Sequence, residues 1–305
     1  MYPEISPEPN RWAATLALEV SRVLPRVNVH GIHRAVHVVM PPLTDTVGAG
    51  PILPVPVLSI VVPVRNEAAN IGPLIAEITA AVSGITHEIV YVDDGSTDET
   101  AEQLRLAQRR WVDTLVVRRH HASCGQSAAI MTGVHVARGT WIATLDGDGQ
   151  NDPADLPILF QQAQASTGPF DLIAGHRTRR KDGWVKRRSS RVANRVRAAL
   201  LGDSTPDTGC GLKVFRRSAF LALPHFDHMH RYLPALFIRA GGSVQSAPVN
   251  HRPRVRGQSK YGTFDRLWVG LVDMAGVAWL QRRGSLPMVD QPAAADAPVL
   301  EQQPL

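Results

Sequence analysis

The stretch TWIATLDGDGQNDPAD, Thr140 to Asp155, decides how this chain folds. Trp141 to Leu145 is an apolar run of the length of a buried strand, and Gly147 and Gly149 let the backbone turn beyond it. Asp146, Asp148 and Gln150 therefore arrive together at one strand end. Hard divalent ions such as Mg2+ or Mn2+ take oxygen ligands, commonly one or two carboxylates completed by water and substrate phosphates. A metal and diphosphate site fits that pattern. The plain alternative is a polar turn whose carboxylates are solvated or cap a helix after Pro153.

Working outward, the same unit repeats. LSIVVPV (58 to 64) reads as a buried strand, followed by a helix over 68 to 82 with Ile71, Leu74, Ile75 and Ile78 on one side. HEIVYVDDGSTDET supplies a second strand ending in acids, with Ser96 and Asp98 placed to cap a helix running to about Arg110. DTLVVRRH is a third strand and QSAAIMTGVHVA a third helix. Strands alternating with helices predict an α/β fold: a Rossmann-like, mostly parallel sheet covered by helices on both faces, with ligands beyond the strand carboxyl ends. Pro63 to Glu67, Asp93 to Ser96 and Asp146 to Gln150 all follow strands, so they share one sheet edge. The first strand is followed by PVRNE rather than GxGxxG, which argues against a dinucleotide-binding domain. In the last third, DLIAGHR (171 to 177) and SVQSAPVNHRP are strand-like. The basic stretch through Leu201 reads as a helix, and GCGLKVFRRSAF as a strand leading into a turn.

Of the 305 residues, 57 to 263 carry this pattern. Residues 1 to 56 form a Pro-rich extension with one short amphipathic segment at 11 to 24, and 285 to 305 read as a disordered tail. The formal charge is +6 with a pI near 9.8, and much of the excess lies in 177 to 197. Such a cluster attracts anions. Without interleaved aromatics or a recognisable nucleic-acid motif, phosphorylated or lipid partners rank above nucleic acid. Only Cys124 and Cys210 are present, without zinc spacing, which suggests a reducing compartment. The N-terminus shows no signal-peptide pattern, and prolines 51, 54, 56 and 63 interrupt the uncharged run at 46 to 64, so no spanning helix is expected there. The segment at 264 to 284 is apolar, contains Asp273 and is flanked by arginines. An amphipathic interfacial helix, or a contact with a second copy or a membrane partner, is expected.

Six segments, in order and at workable spacing, carry a resemblance: SIVVPVRNE, IVYVDDGSTDET, ATLDGDGQNDP, AGHR, DTGCGLKVFRR and RVRGQSKYG. Over about residues 57 to 262 the chain resembles the family 2 glycosyltransferases of the GT-A fold. Within them it looks most like the polyprenol-phosphate sugar synthases, the dolichyl-phosphate mannose and undecaprenyl-phosphate sugar type. The resemblance implies a metal-dependent inverting transfer from a UDP- or GDP-linked sugar to a polyprenyl phosphate, by a peripheral enzyme at the cytoplasmic face of the membrane. It implies a nucleotide pocket at Pro63, Arg65, Glu67, Asp93 and Asp94, with Arg65 standing where relatives often have Tyr. Asp146, Gly147, Asp148 and Gln150 match the diphosphate and metal motif, with Mg2+ or Mn2+ held by Asp146, Asp148 and Gln150. Arg254 and Lys260, with Ser259 and Tyr261, match a basic loop closing over the donor.

Transfer to an ordinary hydroxyl needs a general base, whereas a phosphate monoester is already largely ionised at neutral pH. No convincing base follows residue 205 apart from Asp207. Arg177, Lys186, Arg187, Arg188 and Ser190 are the expected grip on an acceptor phosphate, and Asp148, Arg177, Arg188 and Ser190 the residues most directly engaged in transfer. The spacing from Trp184 to Ser190 is shorter than in relatives, which leaves open which of the three basic residues touches phosphate. Other readings are a family 2 enzyme acting on a glycan, a lipid A precursor or a protein hydroxyl, and a nucleotide-binding module without catalysis. His120, His121, His225, His228 and His230 lack the paired spacing of metal ligands, and Cys210 reads as core or turn packing.

Overall fold

The computed structural model describes residues 55–178, 197–253 and 263–283, with side chains in the last segment described from residue 270 onward. Seven strands form one sheet. They are β1 (Leu58–Val64), β2 (His87–Asp93), β3 (Leu115–Arg119), β4 (Trp141–Thr144), β5 (Leu172–Arg177), β6 (Lys213–Arg216) and β7 (Val244–Val249). The helices are α1 (Ala68–Ala81), α2 (Thr100–Arg110), α3 (Gln126–Val136), α4 (Leu156–Ala165), α5 (Arg217–Leu221), α6 (Leu233–Arg239) and α7 (Thr263–Arg283). The strand order is β3-β2-β1-β4-β6-β5-β7, and only β6 runs antiparallel to its neighbours. The expected mostly parallel sheet is therefore present. The segment read as strand into turn is strand β6 followed directly by helix α5.

Alternate strand residues point to opposite faces, and the core divides accordingly. Ile60, Val62, Ile89 and Tyr91 join Ile71, Ile75, Ile78 and Leu104 of α1 and α2 on one face. Val61, Val90 and Val92 join Ile130 and Val134 of α3, with Phe215, Phe220 and Phe237, on the other. The four α1 positions singled out in the sequence are all buried. At about 1.5–3 kcal/mol for each large apolar side chain buried, that stripe accounts for the helix despite its lack of a side-chain N-cap.

Helix α2 corrects one expectation. It begins at Thr100, and Asp98 Oδ1 accepts from Thr100 N at 3.0 Å. Ser96 caps nothing: its Oγ accepts from the backbone N of Asn66 at 2.9 Å and ties the β1 and β2 loops together. Helix α7 packs on α6 through Val277, with Tyr232 Oη donating to Gly270 O at 2.9 Å. No helix among the described residues is long and apolar enough to cross a membrane. The N-terminal extension, the tail, most of the basic stretch with Lys186, Arg187, Arg188 and Ser190, and the loop with Arg254, Ser259, Lys260 and Tyr261 lie outside the described residues.

Candidate active site

The strand order places β2, β1 and β4 side by side, so their carboxyl ends form a continuous rim. Asp93 ends β2, fully buried; its Oδ1 accepts from Ser96 N at 2.9 Å and its Oδ2 lies 3.2 Å from Arg119 Nε. Asp94 is also buried and takes four hydrogen bonds from one loop. His120 Nδ1 (2.8 Å) and Cys124 N (2.7 Å) approach Oδ1, while Ser123 Oγ (2.7 Å) and Gly125 N (3.0 Å) donate to Oδ2. Burial alone would raise its pKa. The donors, led by Cys124 N and Ser123 Oγ, outweigh burial and hold the carboxyl below its ordinary range. Asp94 thus anchors the approach to α3. Pro63 is half-buried, Arg65 is exposed, and Glu67 accepts from Asn70 Nδ2 at 2.7 Å.

Asp146, at the end of β4, is in a different situation. Its Oδ1 accepts from Gln126 Nε2 at 2.8 Å. Enclosure by protein pushes its pKa up to about 6, the neighbouring charge of Asp148 adds to the rise, and Lys213, Arg177 and Gln126 oppose it. A Cβ on Gly211 would lie 2.2 Å from the Asp146 carboxyl, so glycine is what makes room for this group. Asp148 Oδ1 accepts from Gln150 N at 3.0 Å, which shapes the turn. The helix-capping alternative for this loop falls to Asp152, which accepts from Ala154 N at 3.0 Å, rather than to Asp146 or Asp148. An Asp146 carboxyl pushed up in part by the charge of Asp148, with oxygen donors from both side chains, fits a hard divalent cation.

Behind Asp146 lies a cavity of about 350 Å3. Its walls come from the N-terminus of α3 (Gln126), from β4 (Thr144), from Thr208 to Gly211, and from His230, Arg231 and Leu233. Lys213 forms part of the floor; it is buried in β6 and donates to the carbonyls of Cys210 and Thr208. Burial lowers its pKa, with the thiol of Cys210 and the carboxylate of Asp146 pulling the other way. Asp146 is the single carboxylate among the cavity-lining residues.

Arg177, expected to hold an acceptor phosphate, closes its fork on Asp207 instead: Nε donates to Oδ2 at 2.7 Å and Nη2 to Oδ1 at 2.8 Å. Asp207, the one base considered, is thereby locked as an acceptor, and the pairing competes with a grip on phosphate. Cys210 is buried, in keeping with packing. Sequence reasoning missed Gln126, Ser127, Lys213 and the cavity role of His230 and Arg231. Lys213 did leave a signal, a charge inside the apolar strand LKVF.

A family model described as glycosyl transferase family 2 matches residues 59–223. The chain is 35% identical over 235 residues to a dodecaprenyl-phosphate galacturonate synthase of Rhizobium johnstonii, covering 75% of this chain and 69% of that protein. It is 36% identical over 207 residues to an undecaprenyl-phosphate 4-deoxy-4-formamido-L-arabinose transferase of Edwardsiella ictaluri, covering 67% of this chain and 63% of that one. Among solved structures, glucosyl-3-phosphoglycerate synthase of Mycobacterium tuberculosis, crystallised with Mn2+, UDP and glucosyl-3-phosphoglycerate, superposes with a TM-score of 0.53 at 17% identity. The match covers 74% of this chain and 80% of that one, and shows a shared fold.

Proposed function

The chain belongs to glycosyl transferase family 2, and from that membership we propose that it moves a sugar from a nucleotide-diphosphate sugar to a polyprenyl phosphate at a membrane surface. The observation that carries the acceptor class is the lack of a usable base in the described cavity. Asp146 belongs to the cation site, Asp207 is held by Arg177, and burial drives the pKa of His230 down to about 3. A hydroxyl acceptor would find no available base among the described residues that line the cavity. A phosphate monoester, with a second pKa near 6, arrives already ionised. The names of the two relatives support the same acceptor class.

In this reading Asp146 and Asp148 hold Mg2+ or Mn2+, and Gln126 orients the Asp146 carboxylate through its amide. A cation held there would neutralise charge gathering on the departing nucleotide diphosphate. A phosphate oxygen of the lipid forms the new bond to the anomeric carbon, opposite the breaking bond to the diphosphate. The electron pair leaves with the nucleotide, so the anomeric configuration inverts. Lys213 keeps positive charge under the reaction centre while its own protons are tied to backbone carbonyls.

Attachment to the membrane is assigned to α7. Leu271, Val272 and Trp279 are 46%, 56% and 62% exposed on the face turned away from α6, and Arg282 and Arg283 end the helix. That combination suits an interfacial helix on anionic lipid. Incubation with UDP- and GDP-sugars and undecaprenyl phosphate in vesicles, with Mg2+ or Mn2+ and then EDTA, tests the proposal. Glycosylated lipid phosphate that disappears with EDTA is expected. Turnover unaffected by EDTA would remove the cation from the account.

A further inference from the structure

Helix α3 presents two consecutive polar side chains at its first turn, and each engages a residue that lines the cavity. Gln126 donates to Asp146 Oδ1, while Ser127 meets His230, which lies 103 positions away in sequence. Ser127 Oγ accepts from the backbone N of His230 at 3.2 Å and lies 2.7 Å from His230 Nδ1. A hydroxyl has one proton to donate, and Nδ1 lies within its reach. In the tautomer whose Nδ1 accepts from Ser127, the neutral ring carries its own proton on Nε2. Burial, reinforced by the charges of Lys213, Arg231 and His228, depresses the pKa of His230 to about 3 and keeps the ring neutral. His230 lines the cavity, and none of the described residues accepts from Nε2.

The lining of the cavity joins that space to the carboxylate of Asp146. Asp146, His230 and Arg231 line the same cavity, so a donor whose diphosphate sits at Asp146 would have its sugar within reach of the wall made by the 3-10 turn Met229–Arg231. Resting on the nucleotide-sugar reading above, we propose that His230, fixed by Ser127, is a specificity-determining residue whose Nε2–H donates to an oxygen of the sugar being transferred. Arg231, the next residue on the same wall, adds a cation. A sugar carrying a carboxylate gains from both groups, and a neutral hexose from the histidine alone.

The test exploits the two ring nitrogens. Glutamine places an amide N–H where Nε2 sits, and asparagine places an amide group near Nδ1. The full-length protein and the variants His230→Ala, His230→Asn and His230→Gln are titrated with Mn2+ and UDP or GDP, and then with UDP-glucose, UDP-galacturonate or GDP-mannose. Affinity for the free nucleotide stays within about twofold in all variants. Affinity for the sugar nucleotide that wild type binds most tightly falls roughly three- to tenfold in His230→Ala and His230→Asn, the worth of one neutral hydrogen bond, and recovers in His230→Gln. Rescue by asparagine and not glutamine, or an equal loss of nucleotide and sugar nucleotide, would make His230 a packing residue and overturn the inference. A wild-type protein that binds none of these probes would instead overturn the nucleotide-sugar reading on which the inference rests.

Discussion

Asp94 and Asp146 are carboxylates at the ends of two strands that flank β1, and the protein treats them in opposite ways. Asp94 sits within reach of four hydrogen-bonding groups from residues 120 to 125 and titrates below its ordinary range. Asp146 receives one amide from Gln126, faces a second carboxylate, and titrates near 6. A saturated carboxylate holds protein; an under-bonded one beside a like charge waits for a cation. Both are aspartates just beyond a strand end, and the difference lies in how many donors the surrounding loops supply.

The largest expected effect separates the two on activity. Asp148→Ala, which removes one half of the paired carboxylates, should lower turnover by about 10²–10³-fold or more, in line with loss of transition-state charge stabilisation. Initial rates with undecaprenyl phosphate check this, and substantial turnover would break the cation reading. Asp94→Ala should act on stability instead. Its donors are left without their acceptor, at a cost of about 3 kcal/mol, which in a domain of this size lowers Tm by roughly 6–12 °C. A variant that melts normally and only loses donor affinity would move Asp94 from scaffold to ligand contact.

A smaller effect, of opposite sign, is expected at Asp146. Because its folded pKa lies above the unfolded value, the folded state binds the proton more tightly. Its contribution to stability is present at low pH and is lost as pH rises through about 6. Asp146→Asn should therefore stabilise the metal-free protein at pH 8 by on the order of 1–2 kcal/mol while removing turnover. Thermal melts without metal decide it, and a lower Tm would contradict the strained-carboxylate account. The same titration governs the cation. The rise in Tm produced by Mn2+ should be full at pH 7.5 and fade as pH falls through about 6, where protons displace the metal. The smallest change concerns α7: Trp279→Glu should reduce cosedimentation with anionic vesicles several-fold and leave metal-induced stabilisation as it was.

The two halves of the site also differ in how far they could be read from residues alone. The rim at β1, β2 and β4 was legible because each acid directly follows the strand that positions it, so periodicity and turn residues were enough. Asp93 and Asp94 nevertheless looked alike, since their partners Arg119 and residues 120 to 125 come from the next strand and loop. The wall behind Asp146 was not legible. Gln126 and Ser127 come from α3, Lys213 from β6 and His230 from a 3-10 turn, and the fold rather than sequence spacing brings them together. The pairing of Arg177 with Asp207 was not legible because Asp207 lies 30 residues further along the chain.

The claim that the site works without a general base is tested most directly by a pair of acceptors. Undecaprenyl phosphate and undecaprenol, presented in the same vesicles with the same sugar nucleotide and Mn2+, differ only in the phosphate. Sugar should pass to the phosphate alone, with a rate that rises as pH moves up through the second phosphate pKa near 6. Equal transfer to the free alcohol would mean that the cavity holds a base, and would contradict the account.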